Sequence, residues 1–227
     1  MADARLTSAL AAACSSSWLS GLTLEFRERI LRQSRLIKFA KGQRIIRLDE
    51  RGSDLYFLFE GAVQVLVPRA NLEVVPTHVL CPLQWFGEYG ALTGCENVAE
   101  YRARVPSTAL VVTQSRLLGA KSDPCFQKAV VELLAGALRG YLELSGGLAG
   151  LKGEQRVRSR LHTLSGSTGA VMDSRSNVII SQDELAAVSC VSRTVVSKVL
   201  AQLEAAGIIS CGYRCIVIID RDKLIKE

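Results

Sequence analysis

Apolar residues near the start of the chain follow a helical rhythm. Between residues 6 and 36 they recur every three to five positions with charges between them, as Leu22, Phe26 and Ile30 illustrate. This spacing predicts helices in the segment. Beyond Gly42 the pattern changes to short apolar runs bounded by Gly, Pro, Asp or Asn, which predict the strands of an all-β sandwich or barrel. The predicted strands are residues 44–48, 55–59, 62–67, 73–80, 101–105 and 109–112.

Glycines lie between or beside these strands, where the chain must turn tightly. Because glycine adopts a positive φ at little steric cost, we expect left-handed turns at these positions. The glycines concerned are Gly42, Gly52, Gly61, Gly87 and Gly94.

Helical spacing returns at Asp123 and predicts one long helix. Its apolar residues alternate steps of four and three, which is the seam of a coiled coil and favours a dimer. The alternative is a helix that packs on its own domain. Several glycines interrupt the same region, and each destabilises a helix by about 1 kcal/mol relative to alanine. Because these glycines weaken the helix, it is a candidate switch element. The seam residues are Val130, Leu134, Ala137, Tyr141, Leu144, Leu148 and Leu151.

Residues 181–207 predict two short helices joined by a turn. Ser181 and Glu184 match a capping box, in which the serine caps the first turn and the glutamate bonds back to it. Residues 189–191 supply the turn, Ser192 is a suitable N-cap for the second helix, and Gly207 ends that helix. Two helices connected in this way match a helix-turn-helix.

The start of the second helix carries polar side chains on its outward face. Arginine, lysine and hydroxyl side chains suit contacts with base edges and phosphates in a major groove of double-stranded DNA. Two β runs follow at residues 208–211 and 215–219, and the three residues between them predict a hairpin, so that the unit is winged. The predicted DNA-binding residues are Ser192, Arg193, Thr194, Ser197, Lys198 and Arg214.

Composition agrees with an ordinary globular protein that has an anionic partner. The chain has 227 residues, of which 48% are hydrophobic, and a formal net charge of +6. Residues 1–150 hold 17 basic and 14 acidic side chains and residues 151–227 hold 11 and 8, so that the excess of +3 is denser in the shorter C-terminal part. The apolar stretches are shorter than the roughly 20 residues of a membrane span, and no export signal is evident, which predicts a cytoplasmic location.

These patterns predict an α+β fold with three parts. Residues 1–122 form an all-β sandwich or barrel with helices at its N-terminus. Residues 123–151 form the dimerisation helix. Residues 152–227 form a winged helix-turn-helix domain.

Two motifs give the chain a resemblance to the CRP/FNR family of bacterial transcription regulators. Residues 86–92 (FGEYGAL) are similar to the phosphate-binding cassette of cyclic-nucleotide domains, and residues 192–200 (SRTVVSKVL) are similar to the family's recognition helix. The resemblance implies that residues 1–122 are a sensory β-roll domain, a double-stranded β-helix of jelly-roll type. It also implies a homodimer that binds a near-palindromic promoter site, contacts RNA polymerase and senses an effector in that β-roll. The implied effector pocket contains Gly87, Glu88, Tyr89, Asn97, Val98, Ala99 and Tyr141.

The chain departs from the family pattern where the cyclic phosphate binds. Cyclic-nucleotide binders of the family hold that phosphate with an Arg-Ser or Arg-Thr pair, and this chain has Asn97 or Val98 in place of the arginine. Neither side chain replaces the charge-assisted bonds of arginine, so that cAMP is not the expected effector. Many relatives also have glutamate where Thr194 stands. An iron–sulfur cluster of the FNR type is not expected because Cys14 is isolated near the N-terminus, whereas haem remains open through His78, Cys81 or His162.

Seven cysteines without a Cys-x-x-Cys pair predict reduced, mostly buried thiols. A thiol sensor is the alternative, with Cys95, Cys125, Cys211 and Cys215 as candidates, the last two flanking the wing tip. No nucleophile–base set or metal-ligand spacing indicates an enzyme. A second functional hypothesis is a ligand- or redox-sensing module of the same fold, responding to haem, a thiol oxidant or a cyclic nucleotide, whose response does not depend on DNA.

Overall fold

The protein begins with three helices, as the helical spacing of residues 6–36 predicts for most of that segment. A computed structural model describes residues 2–32, 34–68, 73–166 and 176–225. The Thr23 hydroxyl accepts a hydrogen bond from the amide of Phe26 and caps the third helix, whose buried residues include Ile30. The expectation was wrong for the last residues of the segment, because Leu36 pairs with Leu110 in a sheet. The helices are α1 (Ala2–Cys14), α2 (Ser17–Ser20) and α3 (Leu24–Leu31).

Two four-stranded antiparallel sheets form the β-roll. Their strand orders are β1-β8-β3-β6 and β2-β7-β4-β5. The structure confirms all six expected strands and adds β1 and β6. Two short helices, α4 (Glu88–Thr93) and α5 (Gln114–Gly119), complete the roll. The strands are β1 (Arg35–Phe39), β2 (Arg44–Ile46), β3 (Leu55–Glu60), β4 (Val63–Pro68), β5 (Val74–Leu80), β6 (Trp85–Phe86), β7 (Glu100–Ala103) and β8 (Ser107–Val112).

The glycine turns are confirmed. All five glycines named above have positive φ, between 68° and 98°. Gly61, which joins β3 to β4, has a second constraint: a Cβ placed there would lie 2.3 Å from the hydroxyl of Ser107. Only glycine therefore fits this connection without displacing the neighbouring strand.

A single helix of 27 residues, α6 (Pro124–Gly150), leaves the roll. Phe126, Ala129 and Leu133 bury one face of it against the roll and the N-terminal helices. The expected seam is divided between two faces, because Val130, Ala137 and Leu144 are half-buried on their own domain whereas Leu134 and Tyr141 are exposed. Apolar residues that were not expected in the seam share the exposed face: Val131, Leu138 and Leu142.

The C-terminal part is a winged helix-turn-helix. Helix α7 packs against both helices of the motif, and a three-stranded sheet of order β10-β11-β9 completes the domain. The third strand, β9, was not expected. The α+β class with roll, long helix and winged domain is confirmed. The elements are α7 (Gly153–Gly166), β9 (Ser176–Val178), α8 (Gln182–Ser189), α9 (Arg193–Ala205), β10 (Ile209–Gly212), β11 (Cys215–Ile218) and a 3₁₀ turn (Asp222–Leu224).

Strand β5 joins the two halves of the molecule. Val79 and Cys81 belong to the same buried cluster as the core of the winged domain, and the thiol of Cys81 lies 3.6 Å from the carbonyl oxygen of Leu164. Because side chains alternate along a strand, His78 and Leu80 face the other way, toward α6. Within the described residues, no helix is long and apolar enough to cross a membrane.

Candidate DNA interface and effector pocket

The helix-turn-helix is built by the local signals that the sequence predicts. Ser181 accepts a hydrogen bond from the amide of Glu184 (3.3 Å), and the Glu184 carboxylate accepts one from the Ser181 amide (2.9 Å), which completes the capping box. Cys190 ends the first helix in the left-handed region, with φ 51°. Ser192 then caps the second helix by accepting a hydrogen bond from the Val195 amide. These caps fix the angle at which α9 leaves the turn.

One face of α9 is anchored and the other is free. Val196, Val199 and Leu203 are at most 3% exposed and pack into the domain core, whereas Val195 is only half-buried. The predicted DNA-binding residues on the opposite face are exposed. They are Ser192, Arg193, Thr194, Ser197 and Lys198.

The wing carries a further exposed basic side chain, that of Arg214. Arg214 adopts a positive φ of 54° at the tip of the β10–β11 hairpin, and its guanidinium lies 5.8 Å from the ring centre of Tyr213. The Tyr213 side chain is 93% exposed. Sequence reasoning assigned Arg214 and missed Tyr213, although an aromatic residue at a hairpin tip is a visible signal.

Two of the basic side chains of α9 have carboxylate partners. The Lys198 ammonium lies 2.6 Å from Glu154 at the start of α7, and the Arg193 guanidinium lies 3.5 Å from Asp183. The ion pair with Lys198 lowers the pKa of Glu154. All four side chains are well exposed, and such pairs contribute little because solvent screens them. A DNA phosphate can therefore replace either carboxylate at small cost.

Basic residues of α7 do not all extend this surface. Arg160 is 4% exposed, and its guanidinium donates to the carbonyl oxygen of Val188 at the end of α8 (2.5 Å). It therefore packs between α7 and α8 within the winged domain and is not available to DNA.

The cassette loop has the expected glycine turn, and Asn97 connects it to the loop between β2 and β3. Gly87 has φ 84° and precedes α4, as expected for a cassette turn. The Asn97 amide nitrogen donates to the carbonyl oxygens of Arg47, Glu50 and Gly52 at 2.9–3.1 Å. These bonds hold the buried Asn97 side chain against the loop between β2 and β3.

The neighbouring cassette residues point in different directions. Val98 is 57% exposed, and Ala99 is buried with the core of the roll. Tyr89 is 44% exposed on the outer side of α4. The Glu88 carboxyl is buried, and burial raises its pKa. Of the predicted pocket residues, the structure brings only Glu88 and Tyr141 together at one cavity.

That cavity has a volume of about 330 Å³ and lies between α6 and the roll. Trp18 of α2 and Trp85 of β6 contribute to its wall, and their rings meet edge to face at 5.2 Å. Gly136 and Gly140 line it from α6. Sequence reasoning missed the tryptophans, because residues 18 and 85 come together only in the tertiary structure.

An ion pair connects the roll to the winged domain. The Arg104 guanidinium, which follows β7, donates to both carboxylate oxygens of Glu184 and to the carbonyl oxygen of Ile179. Burial opposes ionisation of Glu184, but the hydrogen bonds from Arg104 and Ser181 outweigh it and lower the pKa to about 2. The roll thereby holds the first turn of α8, the helix that supports α9.

The cysteines do not converge. Within the described residues all seven are free, and Cys95 and Cys125 are isolated on the surface. Cys211 pairs with Ile216, and Gly212 pairs with Cys215. The thiols of Cys211 and Cys215 therefore lie on opposite faces of the hairpin, and this register does not place them for a disulfide.

The histidine and cysteine considered for haem also point apart. His78 faces the cavity and Cys81 faces the winged domain, from opposite sides of β5. Burial, with a smaller effect of Arg160, lowers the pKa of His78 to about 4, so that its imidazole is neutral at pH 7.

Two family models match the chain. Residues 36–121 match the cyclic nucleotide-binding domain, and residues 155–227 match the Crp-like helix-turn-helix domain. A search of functionally curated proteins finds no match.

Solved structures share the fold at low sequence identity. FixK2 from Bradyrhizobium japonicum is 22% identical, with a TM-score of 0.71 over 84% of this chain and 95% of that one. CLP from Xanthomonas campestris, described as a c-di-GMP responsive global regulator, is 20% identical, with a TM-score of 0.64 over 86% and 99%. TTHA1359 from Thermus thermophilus, described as a CRP/FNR family transcriptional regulator, is 22% identical, with a TM-score of 0.62 over 85% and 99%.

Proposed function

The chain belongs to the CRP/FNR family of transcription regulators, and from this premise we propose that it binds a near-palindromic promoter site as a homodimer and contacts RNA polymerase there. The observation that carries the proposal is the exposed polar face of α9, held by two capped helices. Arg193 and Thr194 sit in the first turn, and Ser197 and Lys198 follow one turn later. This spacing lets all four side chains enter one major groove. Arg214 at the wing tip contacts the adjoining backbone.

The exposed apolar face of α6 supports the homodimer. Val131, Leu134, Leu138 and Leu142 are 43–65% exposed and recur at steps of three and four. An apolar stripe of this kind is stable in water when a second copy covers it. Pairing of two α6 helices places two copies of α9 about one turn of DNA apart, which is the geometry that a two-fold site requires.

We assign the sensory role to residues 1–122, the dimer contact to 123–151 and DNA binding to 152–227. Cyclic AMP is not the effector in this proposal. Asn97 takes the place of the phosphate-binding arginine, and its amide donates to three carbonyl oxygens of the loop between β2 and β3. A cyclic phosphate in the cassette loop would lack a charged donor. The proposal assigns no catalytic step to the chain.

Fluorescence anisotropy tests the DNA interface. A duplex selected from a random pool by the purified protein is titrated at physiological salt with the wild type and with Arg193→Ala/Lys198→Ala. We expect the double variant to lose at least about thirtyfold in affinity, since a guanine contact and a phosphate contact each contribute about 1–3 kcal/mol. The matched control is Lys41→Ala/Lys121→Ala, which removes the same charge from exposed positions on the roll side.

If the α9 variant binds the selected duplex as tightly as the control, the interface is misassigned. If the wild type selects no sequence from the pool, the regulator function itself is refuted, and a sensing module that works without DNA takes its place.

A further inference from the structure

The cavity beneath α6 exists because the helix presents its smallest residues there. Gly136, Ala137 and Gly140 line it, and a Cβ built on either glycine meets no atom within 4 Å. A glycine costs the interior of a helix about 1 kcal/mol relative to alanine. Alanine would fit at both positions, so that the glycines leave volume open at the expense of helix stability.

The cavity wall contains polar atoms without partners. Nε1 of Trp18, Nε1 of Trp85 and Nδ1 of His78 are buried and have no hydrogen-bond partner among the described residues. Buried polar groups nearly always have a partner, and leaving one unpaired costs about 1–3 kcal/mol. Neighbouring side chains cover all three atoms, so that a bound molecule reaches them only where those side chains shift. Two of the three atoms are indole N–H donors, which require acceptors.

Charge in the wall excludes an anionic occupant. Glu88 and Glu132 line the cavity, and no lysine or arginine is among the described lining residues. An anion would meet no basic side chain in the lining and would lie next to two carboxyl groups, at a high desolvation cost. A cation would bring donors to a wall whose unpartnered atoms include two donors. An uncharged molecule with acceptor atoms fits both conditions.

The shape of the wall favours a flat ring. Trp18 and Trp85 form one aromatic cluster, and Phe86 and Tyr101 stack at 5.2 Å on another side. Leu83, in the turn before β6, has φ 70°, a strained conformation for a branched residue, and it also lines the cavity. The volume of about 330 Å³ is within the range of small-molecule sites.

We propose that this cavity binds an uncharged, planar aromatic molecule that carries hydrogen-bond acceptors, and that this molecule is the effector of the regulator. The binding half of the proposal stands on the cavity alone, and the effector half rests on the proposed function. The proposed contacts with this molecule come from Trp18, Trp85 and His78 and not from the cassette loop.

Isothermal titration calorimetry with three matched probes tests the ligand class. The probes 2-naphthamide, 2-naphthoate and 2-naphthylmethylammonium share one ring system and differ in charge. We expect the amide to bind at least tenfold more tightly than either ion. The two tryptophans of the chain both lie in the wall, so that their emission should change as the amide binds. Absence of amide binding, or equal binding of an ion, overturns the proposal.

A pair of glycine substitutions on α6 locates the site. Gly140→Leu fills the cavity, whereas Gly146→Leu makes the same change at an exposed position, and neither position has a heavy atom within 4 Å of its added Cβ. Both changes raise helix propensity, so that both variants should fold. We expect Gly140→Leu alone to abolish binding of 2-naphthamide. If it binds like the control, the site lies elsewhere.

The effector role has its own readout. With the selected duplex, saturating 2-naphthamide should change the DNA affinity of the wild type at least threefold and that of Gly140→Leu not at all. If 2-naphthamide leaves the DNA affinity of the wild type unchanged, the effector role is refuted, whereas binding measured by calorimetry is still valid. Failure to bind any selected DNA refutes the proposed function, and the calorimetric result does not depend on it.

Discussion

The ion pair between Arg104 and Glu184 should stabilise the protein more than a surface ion pair does. The side chains are only 7% and 28% exposed, and the guanidinium donates to both carboxylate oxygens. The pKa of Glu184, about 2 against an ordinary 4.5, corresponds to about 3 kcal/mol in favour of the ionised form. Ser181 contributes part of this, because it also donates to the carboxylate. We therefore assign about 2 kcal/mol to the pair itself.

A double-mutant cycle measures that coupling. Urea denaturation is followed for the wild type, Arg104→Met, Glu184→Gln and the double variant. Arg104→Met alone should lose about 2–3 kcal/mol, since it leaves a partly buried carboxylate without its guanidinium. The double variant should lose about 2 kcal/mol less than the sum of the single losses. Glutamine at position 184 keeps the capping box, so that the cap does not confound the cycle.

The pH dependence gives a second check. Because the folded-state pKa of Glu184 is depressed, its contribution is fully present above pH 4.5 and is lost as the pH falls toward about 2. Glu184→Gln should lack this loss. A coupling free energy below about 0.5 kcal/mol at pH 7 would refute the claim that the pair fastens the winged domain to the roll.

Three further predictions concern the interior and the dimer. The folded-state pKa of His78 lies near 4, and its ordinary value is 6.5. The free energy of unfolding should therefore fall by up to about 1.4 kcal/mol per pH unit as the pH drops from 6.5 to 4. His78→Asn should flatten this slope in denaturation curves. Gly61→Ala should lower the free energy of unfolding by about 3 kcal/mol in calorimetry, because position 61 combines a φ of 98° with a collision at Ser107. Gly42→Ala, with φ 83° and open space around the new Cβ, should lower it by about 1 kcal/mol. Equal losses would disprove the collision. Leu138→Glu should shift sedimentation from dimer to monomer while its helical circular dichroism stays intact, and an unchanged dimer would contradict the proposed contact face.

Local chemistry made the helix-turn-helix predictable. The capping pair Ser181 and Glu184, the N-cap Ser192 and the stop at Gly207 act within one or two turns of the chain, so that sequence spacing is enough to locate them. The positive-φ glycines of the roll follow from the same reasoning, since they depend on backbone sterics at one residue.

Features that depend on distant partners could not be predicted in this way. The steps of three and four along α6 are the same whether a residue packs on its own roll, as Ala137 does, or faces outward, as Leu134 does. The pairing of Cys211 and Cys215 depends on strand register, in which one position decides the face. The wall of the cavity joins residues more than 60 positions apart, such as Trp18 and Trp85, and no local pattern connects them.

Strand β5 has a thermodynamic consequence for regulation. His78 and Leu80 border the cavity while Val79 and Cys81 are part of the core of the DNA-binding domain, so that one short backbone segment belongs to both sites. A ligand that moves this segment changes the contact between the roll and the winged domain without any change in the pairing of the α6 helices. Linkage then works in both directions: whatever factor the ligand imposes on DNA affinity, a bound operator must impose on ligand affinity. Promoter occupancy would therefore tune the sensitivity of the sensor.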